Sequence, residues 1–284
     1  MSFKPVKYLS VLLLAVIIAT VCLACKESGA SLSAEQVLEN TLAAQADVES
    51  FRLDATLTAD VQSSDTEGAI SLDANCAIDL ADREAEATAD LSLQMTGLAI
   101  TGEMQAYLVD NYAYIMTSMF GQTEWTKQAI TADTWQTIED GQYQIQGLLE
   151  SVAAELGKEE NVNGVGCYVL ELTPDLDQLQ QALMEQPGIG EGLAEMPDLE
   201  SIVQEMTLKI WVAKETFFLM KANISMTLVM DSETMGMSEG EGTATIELSL
   251  ELLAYDYNQP VSIDLPSEAQ SATEGSSDFE LPFF

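Results

Sequence analysis

A chain of 284 residues without a single histidine has few catalytic mechanisms open to it. Ser-His-Asp and Cys-His relays need an imidazole to carry the proton, and the commonest zinc ligand is missing with it. Gly236-Met237-Ser238-Glu239-Gly240 has the G-x-S-x-G spacing of a nucleophile elbow. That motif works where a strand turns sharply into a helix with a histidine in reach. Here it falls in a polar stretch between two alternating segments, so the match is one of spacing only. Asp231-Ser232-Glu233-Thr234-Met235-Gly236 begins like a calcium loop, but the fifth position is Met235 and the twelfth is Gly242, where an oxygen ligand and a Glu are required. No pair among the 47 Asp and Glu residues is singled out by spacing for glycosidase-type acid–base work. The expectation is a protein that is not an enzyme and needs no metal and no cofactor.

Sulfur is the remaining reactive chemistry. Cys22 and Cys25 lie near the start, Cys76 and Cys167 in the body. Lys4 and Lys7 precede an apolar run from Tyr8 to Ala24, followed by Cys25, the order of an export signal. Leu23-Ala24-Cys25 resembles the lipobox of bacterial lipoprotein signals, in which the cysteine becomes the lipidated first residue. The position three before Cys25 holds Cys22 instead of the usual aliphatic residue. Cys22 is the poorer acceptor because bulky Val21 precedes it. One acyl chain binds membranes only marginally, at ~0.8 kcal/mol per buried CH₂; a diacylated cysteine carrying palmitate-like chains anchors firmly. The alternative is an uncleaved anchor helix. Either way the body is expected outside the cytoplasm, tied to the membrane at this end. The segmentation is signal peptide 1–24, tether 25–32, one domain 33–269 and a flexible acidic tail 270–284. Outside the cytosol Cys76 and Cys167 can form a disulfide; two buried free thiols are the other reading.

Charge excludes one class of partner. The net formal charge is −37, and every Asp and Glu lies after residue 24. Nucleic acid binding needs clustered Lys and Arg that release counterions, and the chain has ten in total. The acidity reads as a solubilising surface; attraction for cations is the functional alternative.

The elements follow from hydrophobic period. Ser33-Ala34-Glu35-Gln36 is a capping-box pattern, and Leu38, Leu42 and Ala46 predict a helix over about 34–49. The period then changes to two. Phe51 to Val61, Ile70 to Leu80, and Ala85 to Met95 each alternate with polar residues, and Leu98 and Ile100 continue after Gly97. This is the pattern of an antiparallel meander. Val109-Asp110-Asn111-Tyr112 marks a tight hairpin. Ile145, Leu148, Leu149, Val152 and Leu156 form a helical stripe. Asn163-Gly164 marks a turn before a strand at 165–172. Thr173-Pro174 reads as an N-cap and first helical residue of a helix running to Pro187, with a Gly-rich loop at 188–192 and a short helix near 198–204. Alternation returns from Met206 to Val212, Phe218 to Met230 and Ala244 to Leu252. A last short strand is predicted at 261–265.

The sum is an α+β domain: a large one-faced antiparallel sheet with helices available to cover it. The element order resembles the LolA/LppX-like group of bacterial lipoproteins and lipoprotein carriers, on five stretches: Val48–Leu53, Glu124–Lys127, Asn161–Leu170, Leu208–Thr216 and Tyr255–Pro266. The resemblance spans 33–269. It implies a curved half-barrel sheet wrapped around a few helices, and, for some members, acylated cargo held between the two. Met220, Met226 and Met230 share a strand face, and methionine suits adaptable apolar contacts. The expected cavity lining is Leu91, Leu93, Met95, Met220, Ile224, Met226, Leu228, Ile246, Leu248 and Leu250, with a lipid or other apolar molecule as partner. The competing expectations are an envelope interaction lipoprotein with a filled core and an acidic cation-binding surface protein.

Overall fold

The computed structural model describes residues 32–63, 67–130, 135, 152–184, 198–231 and 242–274. The chain divides into two units, Met1–Ser33 and Ala34–Phe284. Among the described residues the second is built on helix α1 (Ala34–Gln45) and thirteen strands. The strands are β1 (Ser50–Gln62), β2 (Glu67–Asp79), β3 (Glu84–Met95), β4 (Leu98–Val109), β5 (Tyr112–Met119), β6 (Gln122–Ala129), β7 (Ala153–Leu156), β8 (Glu160–Val162), β9 (Val165–Thr173), β10 (Val203–Ala213), β11 (Leu219–Asp231), β12 (Thr243–Tyr255) and β13 (Thr273–Glu274). Helices α2 (Leu176–Met184) and α3 (Leu199–Ile202) lie between β9 and β10 in sequence.

All strands join one open sheet in the order β13-β6-β5-β4-β3-β2-β1-β12-β11-β10-β9-β7, with β8 on β9. Every pairing is antiparallel except β13 on β6. The sheet is large, open and one-faced, as the alternation predicts.

Side chains alternate along each strand, so directly paired residues share a face. The pairs Leu57–Leu72, Ala59–Ile70, Leu72–Leu91, Ile70–Leu93, Leu57–Leu250 and Ala59–Leu248 place one continuous apolar face across the central strands. The opposite face carries Asp54–Asn75, Thr56–Asp73 and Asp90–Glu103. A slip of one residue in any pair would invert both faces, which is why the register follows the hydrophobic pattern so closely.

The hairpins have a chemical cause. Asp110 (φ 54°) and Asn111 (φ 64°) are both left-handed, as are Asn163 (φ 51°) and Gly164 (φ 89°). Two-residue turns with positive φ at both positions match the twist of the flanking strands.

Several local expectations are corrected. Helix α1 stops at Gln45 rather than 49; Val48 is buried just before the first strand. The helical stripe through Val152 and Leu156 does not hold at its C-terminal end. Ala153–Leu156 is a strand paired with β9, because a free β9 edge offers backbone partners that outweigh a local helical pattern. Ile145, Leu148 and Leu149 lie outside the described residues, as do residues 188–192 and Ser238. Thr173 does not cap α2: it ends β9. Asp175 caps instead, its Oδ1 accepting the backbone N–H of Asp177 and Gln178, both at 3.1 Å. This holds the Asp175 carboxyl below its ordinary pKa, through the Gln178 hydrogen bonds first. Residues 261–265 form no strand. Residues 270–274 belong to the fold rather than to a tail. A 3₁₀ turn at Ser267–Ser271 buries Ala269, and Thr273 and Glu274 pair with Thr126 and Lys127. The remainder of the tail, 275–284, lies outside the described residues.

Candidate apolar ligand-binding face

The apolar face has two halves. At the end where β1 starts, its residues are buried and many of them are alanines. Ala85, Leu108 and Ala113 pack with Trp135, and Ala87, Ala106 and Ile115 form an adjoining cluster against Cys76 and Met104. Ala85, Ala106 and Leu108 are fully buried. Alanine is a poor strand former, and its use on three neighbouring strands lets the indole of Trp135 approach the sheet closely.

At the other end, toward the β3–β4 and β5–β6 turns, the face carries larger residues that remain open to solvent. Leu91 is 36% exposed, Met119 41%, Met95 44% and Leu98 50%. Leu93, Ile224, Met226, Leu228, Ile246, Leu248 and Leu250 are all half-buried. A cavity of ≈ 190 Å³ opens here, lined by Leu72, Ala89, Leu91, Gly102, Glu103, Met104, Thr117 and Met119. Gly102 stands directly opposite Leu91 and Met119. A Cβ on Gly102 would meet Met119 Cγ at 3.1 Å, so the missing side chain is what keeps the hollow open.

Nine of the ten expected lining residues share this face: Leu91, Leu93 and Met95 on β3, Ile224, Met226 and Leu228 on β11, and Ile246, Leu248 and Leu250 on β12. Of the ten, Leu91 alone lines the 190 Å³ hollow; Met226 and Leu248 border a different, polar depression of ≈ 330 Å³. Met220 is the exception. A β-bulge between Trp211 and Val212 shifts the β10–β11 register, and a bulge re-aims the side chain beside it. Met220 is 8% exposed in a second cluster with Val162, Cys167, Val169, Trp211 and Ala213. The pairs Val169–Trp211 and Cys167–Ala213, with Trp211–Lys221 and Lys221–Leu253, put that cluster on the opposite, mainly polar face. Its polar edge is satisfied: Trp211 Nε1 donates to Glu160 Oε2 at 2.8 Å. Sequence alternation alone reaches past the bulge and misassigns Met220. Gly102 is missed for a different reason: a glycine has no side chain to count in a periodicity.

The 330 Å³ depression lies on the polar face, where Thr58, Asp60, Glu205, Thr207, Ser225, Thr227, Glu247 and Ser249 line it. Among the described residues no group of three or more Cys, Asp or Glu side chains is placed to hold a metal ion.

Cys76 and Cys167 are free thiols, so no disulfide joins them. Cys76 is on β2 and Cys167 on β9, five strands apart in sheet order. At ~4.8 Å per strand this separation is well beyond the ~7 Å Cα limit for a bridge. Cys76 borders the alanine cluster and Cys167 sits in the Trp211 cluster. Burial, reinforced by the Asp54 charge, pushes the Cys76 thiol up to about 11. Burial also raises Cys167. Neither is a ready nucleophile at neutral pH, because the thiolate is the reactive form.

Where β12 ends, Tyr257 ties the two faces together. Its ring stacks on Phe218 at 4.6 Å and Phe51 at 6.2 Å, and its hydroxyl donates to the Leu219 carbonyl. Burial pushes this phenol up to about 12. The described helices contact β7, β10 and β11: α1 reaches β7, and α3 reaches β10 and β11. Leu199 and Ile202 of α3 are buried there. Cys25 and the apolar run before it lie outside the described residues; among those described, no helix is long and apolar enough to cross a membrane.

Among solved structures, the chain is similar to the lipoprotein LppX of Mycobacterium tuberculosis, at 14% identity and a TM-score of 0.41 over 80% of this chain and 96% of that one. It is also similar to a LolA superfamily protein from Nitrosomonas europaea, at 13% identity and a TM-score of 0.21 over 84% and 97%. A third is a DUF1329 family protein from Desulfovibrio piger, at 11% identity and a TM-score of 0.24 over 82% and 95%. The first two are from the groups that the sequence resembles. No curated protein matches the chain. One family model does, over residues 33–274, and the chain belongs to that family, the family of unknown function DUF6612.

Proposed function

We propose that this is a membrane-anchored, extracytoplasmic lipoprotein that binds a lipid or another apolar molecule on the open half of its apolar sheet face. The observation that carries the reading is the apolar hollow over Gly102, on a face whose Leu, Ile and Met side chains stay half-exposed on seven strands. Apolar surface left in water is costly at ~25 cal/mol per Å², and a ligand that covers it recovers that energy. Ligand sites are concave and mostly apolar. The 190 Å³ hollow suits one end of an acyl chain rather than a whole lipid, with the flanking face taking the rest.

Native mass spectrometry of the purified chain before and after lipid extraction tests the reading, together with uptake of a neutral apolar fluorophore such as N-phenyl-1-naphthylamine. A co-purifying apolar species and saturable uptake after extraction are expected. No bound species and no uptake would overturn it. The anchor is tested separately: labelled palmitate should enter the wild-type chain and not Cys25→Ser.

A further inference from the structure

The exposed large hydrophobic residues of the described chain are concentrated at one corner of the sheet. Leu91 and Met95 on β3, Leu98 on β4, Met119 on β5 and Phe120 in the β5–β6 turn are five of the eight. They surround the tips of two neighbouring hairpins, closed by the pairs Met95–Leu98 and Met119–Gln122. Phe120 is 77% exposed and sits at φ 53°, beside Gly121 at φ 75°. The turns at 110–111 and 163–164 put Asp, Asn and Gly at those positions. A phenylalanine there is a backbone outlier, and it holds an aromatic ring out in water.

Charge distinguishes this corner from the rest of the molecule. Residues 91–102 and 111–123 contain no charged side chain, in a chain with 47 acidic residues. In sequence, Asp65 lies between β1 and β2, and Glu233, Glu239 and Glu241 lie between β11 and β12; Glu67 opens β2 next to the rung Gly68–Met95. On β3 and β4 the uncharged stretch ends at a single rung, the pair Asp90–Glu103. From that rung to the tip is about 14–17 Å of strand at ~3.4 Å per residue. On β5 and β6 the stretch is shorter: Glu124 stands opposite Thr117, about 7–10 Å from the turn at ~3.4 Å per residue. An apolar element lying in a membrane interface sinks ~5–10 Å, so the turns can enter with Asp90 and Glu103 in water and with Glu124 and Glu67 at the boundary.

We infer that this corner, with the β3–β4 tip foremost and Phe120 beside it, docks onto the surface of a lipid bilayer. The partner is the uncharged part of the interface: a net charge of −37 repels anionic headgroups, and the tips are where that repulsion is weakest. The apolar hollow over Gly102 shares Leu91 and Met119 with this corner, so a docked tip would join the hollow to the acyl region. The ligand-binding reading gives docking its purpose, while the docking itself stands on the corner's composition.

The experiment uses the full chain, held by its own N-terminal segment in phosphatidylcholine vesicles whose acyl chains carry bromine. Phe120→Trp places a probe at the tip, and Asp82→Trp places one at the exposed turn between β2 and β3, at the other end of the sheet. Wild-type emission from Trp125, Trp135 and Trp211 is subtracted. Roughly threefold stronger quenching at position 120 than at 82 is expected for a side chain at interfacial depth, and it should weaken when phosphatidylglycerol is mixed in. Equal quenching at both sites, or none at 120, overturns the inference. So does an emission from the tip probe that shifts only with protein concentration, which would mean that a second copy covers the corner. Phe120→Glu should keep its melting temperature and its uptake of N-phenyl-1-naphthylamine from water, yet take the probe from vesicles more slowly. Uptake failing with quenching intact would remove the ligand reading and leave docking; uptake intact without quenching would do the reverse.

Discussion

On the apolar face, β3 reads Ala85, Ala87 and Ala89 at one end and Leu91, Leu93 and Met95 at the other. The alanines are buried and the larger residues are half-exposed or exposed. Burial runs the same way along β4, where Ala106 and Leu108 are fully buried and Leu98 is half in water. A sheet built only for stability would put its largest apolar side chains where they lose the most water. Small residues at the closed end let Trp135 approach the strands. Large residues at the open end leave apolar area in water; under the proposed function this is the area a ligand would cover. One half is packed; the other is open to solvent and is the half the proposed function assigns to contact.

Truncation should separate the halves most sharply. Leu108→Ala removes a fully buried side chain and should cost ~2–5 kcal/mol of unfolding free energy. Leu98→Ala removes one that is 50% exposed and should cost no more than ~0.5 kcal/mol. Urea unfolding of both variants reads the difference. Equal losses would mean that the open end is packed as tightly as the closed one.

The closed half should also protect its thiol. With Cys76 raised to about 11 from 9.0, its thiolate at pH 8 is ~100-fold scarcer in the folded chain than in the unfolded one. Native alkylation, mapped by peptide mass spectrometry, should be slower by at least that factor. The linkage has a definite sign. Between pH 9 and about 11 the unfolded chain gives up this proton and the folded chain keeps it. Stability should therefore fall with rising pH in that window and be indifferent to this group below it.

Overpacking comes next in size. Ala106→Leu inserts three carbons beside Ala87 and Ile115 and should destabilise by ~1–3 kcal/mol. If it were neutral, the closed half would hold unfilled space.

How far this division could be read from sequence depends on which interaction decides each feature. The paired faces were legible, because a period of two and the need to bury one side fix the register of long strands such as β1 and β2. The turn at Asp110-Asn111 was legible because so few residues accept positive φ. Strand β7 was not: Val152 and Leu156 fit a helical stripe, and the β9 edge that claims Ala153–Leu156 is distant information. Met220 was misplaced by a bulge with no composition signal of its own. The two halves themselves were invisible, since alternation counts Ala85 and Leu91 alike as apolar. What separates them is Trp135 arriving from another part of the chain, and the pairing that sets Gly102 against Leu91 and Met119.

The smallest expected change in stability tests the open half most directly. Leu91→Ser at a position already 36% exposed should move the unfolding free energy by no more than ~0.5 kcal/mol. Gly102→Leu should be tolerated to a similar degree if Met119, itself 41% exposed, swings away; the 3.1 Å approach is to a flexible side chain. Both changes alter the hollow, one by making its wall polar and the other by filling it. Uptake of N-phenyl-1-naphthylamine should therefore drop about tenfold, a loss of ~1.4 kcal/mol of binding energy, in variants whose melting curves overlay the wild type. A matched pair of substitutions on the polar face, Thr58→Ala and Ser249→Ala, should leave uptake unchanged. If those variants reduced it as much as Leu91→Ser does, the ligand would be using the polar depression, and the division between a packing half and a contact half would not describe what this face is for.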